Sequence, residues 1–214
     1  MLHRLHRVSA IFIGVFILFH LINHLFILSS VQQHISIMDT FRVVYRNIIV
    51  ECILLICVIF QVCSGVYFVW RRRGQREGFL EKAQAISGLY LAYFLLNHIG
   101  AVLFGRVIVD LDTNIYYGIA GIHISPFNLY FIPYYFFAVV ALFVHLASAF
   151  NWLCRNKLSD LVRANLSYSI IALGMTISAI LILGFSGTFG EIVIPSEYRA
   201  IYTFADLPNS QFHV

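Results

Sequence analysis

Apolar residues dominate five stretches of this chain, at about 8–29, 47–70, 84–105, 129–153 and 165–187. Each is long enough for a helix that crosses a bilayer, which takes about 20 residues. Polar and basic residues collect between them. The pattern predicts an all-α membrane protein, a five-transmembrane-helix bundle over residues 1–187 followed by a tail over 188–214. The second stretch carries one acidic residue, Glu51, near its start. The fourth has Pro133 in its first turn or two, where proline is tolerated.

Composition agrees with the pattern. Hydrophobic residues make up 60% of the 214 and charged residues only 11%. A soluble domain carries about a quarter charged residues, because it must coat its surface. The net charge of +4 is no nucleic-acid signal, since the basic residues sit at the ends of the apolar stretches. On the side of the N-terminus lie Arg4, Arg7, Arg71, Arg72, Arg73, Arg76, Lys82, Arg155, Lys157 and Arg163. The other side holds Arg42, Arg46, Arg106 and Arg199. This bias predicts an N-terminus inside and a C-terminus outside. The first stretch is longer than a signal-peptide core. Cys52, Cys57, Cys63 and Cys154 form no C-x-x-C pair, and three of them share one helix, badly placed for bridging. They read as small apolar residues.

Ionisable side chains inside a bilayer are costly and by default mark function. Here they are His20 and His24 in the first stretch, His98 in the third and His145 in the fourth, with Gln61 in the second. Each is flanked on its helical face by small or weakly polar residues, as on a surface that packs inward. Depth divides them. His20 and His98 fall in the outer half of the membrane, Gln61 and His145 in the inner half. Two neutral imidazoles on facing helices suit a b-type haem, each nitrogen binding iron axially. A zinc site would want three or four ligands, and a proton relay usually includes a carboxylate. Histidine that only bridges helices by hydrogen bonding is the remaining alternative.

These residues resemble those of a known family. Gly14-Val15-Phe16-Ile17-Leu18-Phe19-His20 is similar to a Gly-x-Phe-x-x-x-His motif. Gln84-Ala85-Ile86-Ser87-Gly88, followed by His98, is similar to Gln-x-x-Thr/Ser-Gly-x9-His. Both belong to the cytochrome b membrane-anchor subunit, of the five-helix single-polypeptide type, of succinate dehydrogenases and fumarate reductases (complex II). The resemblance implies haem b bound axially by His20 and His98, and a second, inner haem with His145 as a ligand. The chain departs from the family at Gln61-Val62-Cys63-Ser64-Gly65-Val66-Tyr67, which is similar to His-x-x-x-Gly-Val-Tyr but has lost the histidine. A carboxamide is a poor iron ligand, so the inner haem is expected to be lost or held by His145 alone. His24 lies one turn, about 6 Å, beyond His20, and is expected as an alternative ligand, a propionate contact or part of a quinone pocket.

His6-Arg7-Val8-Ser9 is similar to the His-Arg-x-Ser-Gly motif of the related mitochondrial-type anchor, with Ala10 in place of the glycine. The resemblance implies a quinone site near Arg7 and Ser9, with His6 beside a haem propionate. Without it, His6 and Arg7 are part of a basic interfacial anchor. Glu51 and Arg46 are similar in placement to residues at an outer quinone site of the family.

The expected function is therefore that of the membrane-anchor and electron-transfer subunit of a succinate:quinone oxidoreductase in a bacterial or mitochondrial inner membrane. With no nucleotide-binding glycine motif and no cysteine cluster, the chain needs flavoprotein and iron–sulfur partner subunits. No nucleic-acid partner is expected. The alternative is a histidine-containing membrane protein without redox function: a proton or metal carrier, or an assembly subunit that kept the fold.

Overall fold

A computed structural model describes residues 1–202. It is all-helical, with no strand among the described residues. Five helices are long and apolar enough to cross a membrane, the character of a multi-pass membrane protein. They are α1 (Leu2–Leu25, prolonged by a 3-10 turn over Phe26–Leu28), α3 (Ile48–Arg71), α4 (Phe79–Val107), α6 (Asn128–Leu153) and α7 (Asp160–Phe185). Three short helices complete the fold: α2 (Val31–Tyr45), α5 (Ile115–Ile119) and α8 (Ser196–Arg199).

Three spans begin earlier than their apolar stretches. α1 starts at residue 2 rather than 8, α4 at 79 rather than 84, and α7 at 160 rather than 165. Hydropathy stops where apolar side chains stop, whereas backbone hydrogen bonding continues through interfacial residues whose charged heads reach water. His6 and Arg7 are consequently helical. The segment between the first two spans, expected as a linker, is α2. It opens on Ser30, whose side chain accepts from Gln33 N at 3.0 Å, and α3 follows on Asn47, which caps Ile49 N at 3.1 Å. At the other end of α3, Arg76 Nη2 donates to the carbonyl of Val69 at 2.7 Å and to that of Phe68 at 3.4 Å, which also accepts from Arg72 N.

Burial is reversed relative to a water-soluble domain. Ser64, Ser87, Ser148, Ser167, Ser178, Asn23 and His34 are buried, while Ile11, Ile56, Ile86 and many other large apolar residues are exposed. Small residues let helices approach closely. The buried face of α6 includes Ala138, Ala141, Ala147 and Ser148, and α7 packs on it with Ser178 Oγ donating to Phe136 O at 2.7 Å. Such an interhelical bond contributes only about 0.6 kcal/mol, so close packing of α6 on α7 carries most of the adhesion. Tyr90 and Tyr134 join α4 to α6 through main-chain carbonyls, at 2.9 and 3.3 Å.

At the end of the bundle away from the N-terminus, Ile27, Ile115, Ile119, Leu181, Phe185, Ile194 and Tyr198 form a buried apolar cluster. Residues 188–202 of the expected tail thus fold against the bundle; 203–214 lie outside the described residues. Tyr198 Oη bonds Asn114 Nδ2 at 2.9 Å and Asp112 O at 3.0 Å. Arg42 on α2 pairs with Asp112 at 2.9 Å. At the N-terminal end Arg73 lies 4.4 Å over the Trp70 ring and Arg155 5.2 Å over Trp152, the aromatic-and-cation pairing of a membrane interface.

Candidate functional site

A cavity of about 1280 Å³ runs between the spans. An ordinary small-molecule cleft holds about 300–1,000 Å³, so the space suits one large ligand or more than one. All the intramembrane histidines line it, and so do Gln61, Glu51 and His6.

In the half away from the N-terminus, His20 on α1 and His98 on α4 face each other. Their ring centroids are 6.1 Å apart and their planes lie at 65°. Each ring is stacked on a phenylalanine one turn earlier in its own helix: Phe16 under His20 at 5.5 Å and 18°, Phe94 under His98 at 5.1 Å and 12°. The i, i+4 spacing places each phenyl directly beneath its imidazole, and the stack limits ring rotation. Two imidazoles binding one metal atom from opposite sides, at about 2.0–2.1 Å per bond, put their centroids roughly 6 Å apart. The observed separation matches. Among the described residues no three or more His, Cys, Asp or Glu side chains are arranged to hold a bare ion.

His24 belongs to a second arrangement. Its Nε2 is 3.0 Å from His20 Nε2, and its Nδ1 is 3.1 Å from Nε2 of His34 on α2. Asn23 Nδ2 reaches the same His34 nitrogen at 3.2 Å. His34 is 1% exposed and Asn23 3%. Burial, and then the neighbouring Arg42 charge, push the His34 imidazole down to about 4, so it is neutral at physiological pH. His34 and Asn23 were not expected from the sequence. The available signal was the spacing of His20, His24 and His34, but His34 stands in a stretch that reads as a linker.

Glu51 at the start of α3 pairs with Arg106 at the end of α4, and both line the cavity. Arg46 instead turns to Thr113 at 3.1 Å and Asp112 at 3.7 Å.

In the N-terminal half of the cavity, Gln61 and His145 are turned to different helices. The Gln61 amide donates to His6 O and, at 2.8 Å, to Ser9 Oγ, both on α1. A carboxamide of this length reaches a neighbouring backbone that an imidazole ligand would not need. His145 Nδ1 faces α4, 3.3 Å from Gln84 O and 3.4 Å from Ser87 Oγ. His6 takes the place beside α3 instead, its Nδ1 2.6 Å from Ser64 Oγ. Ser9 is buried and bonds Leu5 O at 2.9 Å. Arg7 is exposed, with Nε on His3 O at 3.3 Å.

No protein-family description, curated protein or solved structure matches the chain.

Proposed function

We propose that this chain is the membrane-anchor and electron-transfer subunit of a succinate:quinone oxidoreductase, with haem b held between α1 and α4 by His20 and His98. The observation that carries the reading is the opposed, phenylalanine-stacked imidazole pair at 6.1 Å across the cavity. The resemblance of the two surrounding motifs to complex II cytochrome b adds to it. When bound, haem supplies a one-electron carrier inside the bundle.

The chain's own residues do the rest. His20 and His98 would hold the haem iron, and His24 is tied to α2 through His34. Phe16 and Phe94 hold both rings in register. Glu51 and Arg106 are a charge pair beside the cavity: Arg106 can donate to a quinone oxygen, and Glu51 can accept from the hydroxyl of the reduced quinol. The distribution of Lys and Arg supports an N-terminus inside and a C-terminus outside. Electrons enter from flavoprotein and iron–sulfur partners docked on that basic inner face.

The test is a reduced-minus-oxidised spectrum of the purified membrane complex, with identification of the proteins that co-purify. A b-type α-band and a flavoprotein partner are expected. A chain without haem favours the non-redox reading, for which the His20–His24–His34 chain of hydrogen bonds is the supporting observation.

A further inference from the structure

The N-terminal half of the cavity holds a second pair of histidines with a shared local arrangement. Ser64 donates its hydroxyl proton to Phe60 O at 2.5 Å, so its oxygen is left to accept from His6 Nδ1. A carbonyl only accepts, so the contact of His145 Nδ1 with Gln84 O assigns the proton to that nitrogen as well. In each neutral ring the lone pair therefore lies on Nε2. Neither Nε2 has a hydrogen-bond partner among the described residues. Neither is among the buried unpartnered atoms, so both remain accessible, and both rings line the cavity. An imidazole fixed through Nδ1 with Nε2 bare is how proteins present a metal-ligating histidine.

The surroundings fit one class of ligand. His6 and His145 stand on different helices, and both line the one cavity. Glycines flank both rings. A Cβ at Gly65 would sit 3.8 Å from His6 Cε1, and a Cβ at Gly88 only 3.2 Å from His145 Cε1. Arg7, Arg72, Arg76 and Arg155 line this end of the cavity, against the single carboxylate of Glu81. Two imidazole lone pairs, a large apolar space and an excess of cations suit a metallated macrocycle that carries carboxylates.

We propose that His6 and His145 are the axial ligands of a second haem b, in the inner half of the bundle. His6 on α1 thus stands in for the ligand missing at Gln61. Gln61 becomes a positioning residue: its amide holds the His6 carbonyl and Ser9, and so fixes the rotation of α1 that turns His6 inward. The proposal rests on the electron-transfer reading above and extends it, placing a carrier between the inner face and the His20–His98 pair.

The experiment is haem quantitation by pyridine haemochrome, per chain, in the purified complex, with redox titration to separate the components. Two haems are expected in the parent protein. His6→Ala and His145→Ala should each leave one, the component that disappears in His98→Ala. That surviving haem reports that the bundle has folded. Imidazole added to His6→Ala should restore the lost component. Two haems in His6→Ala overturn the proposal. So does loss of both haems from both variants without recovery in imidazole. One haem in the parent, lost only in His98→Ala, overturns it and leaves the His20–His98 reading standing. No haem in the parent defeats that reading itself.

Discussion

The imidazole of His98 faces that of His20 across the cavity, with 6.1 Å between ring centroids. His24, one turn away, makes its polar contacts with His20 and with His34 instead. The expected outcome separates the two candidates. His98→Ala should abolish the outer b-type band while the protein remains in the membrane fraction, and His24→Ala should keep the band. A full haem complement in His98→Ala would remove it from the ligand set.

Glu51 and Arg106 are each less than one-third exposed. Their pair belongs between an exposed bridge, worth about 0–1 kcal/mol, and a buried one, where removing one partner costs about 3–5 kcal/mol. Glu51→Gln and Arg106→Gln should each lower thermal stability in detergent. The double variant should lose less than the two single losses together, because no unpaired charge is left behind. Additive losses would mean that the two side chains are independent.

His34 makes the docking of α2 sensitive to acid. Its ordinary value near 6.5 describes the unfolded chain, and burial, followed by Arg42, lowers it to about 4 in the fold. The stabilisation is therefore complete above 6.5 and lost as pH falls towards 4, where the unfolded state takes up the proton first. The protection factors of amides in α2, with the intrinsic exchange rate at each pH divided out, should fall across this window. His34→Gln should flatten the dependence, and an unchanged profile in that variant would assign it to another group.

Gln61→Leu removes two hydrogen bonds between α3 and α1, each worth about 0.5–1.5 kcal/mol. A loss of roughly 1–3 kcal/mol is expected in detergent melting. If Gln61 orients α1, the inner haem should also be depleted although residue 61 touches no metal. Lower stability with an unchanged haem count would reduce Gln61 to a packing role.

The five spans are legible in the sequence because lipid-facing positions must be apolar whatever the helix does inside. The placement of His20 and His98 on facing helices follows from depth and from the spacing of their motifs. α2 is hidden for the opposite reason: Gln32, Gln33, Ser36 and Asp39 break its hydropathy, although Ser30 supplies a helix start. With α2 unread, His34 could not be connected to His24. His6 is missed because the apolar run begins after it, so a helical residue reads as part of an interfacial anchor. Gln61 invites pairing with His145 by depth, but depth does not give the rotation of a helix about its own axis, and that rotation turns Gln61 to α1.

The apolar cluster at the far end draws on residues 27, 115, 119, 181, 185, 194 and 198. A ribosome delivers these in order, so the cluster cannot close until α7 and α8 have emerged. The N-terminal half also needs α7, whose Ser167 bonds Ala147 O on α6 at 3.4 Å, but it draws nothing from α8. The seal beside His24 and His34 is thus the later of the two ends to close, because it alone waits for Ile194 and Tyr198.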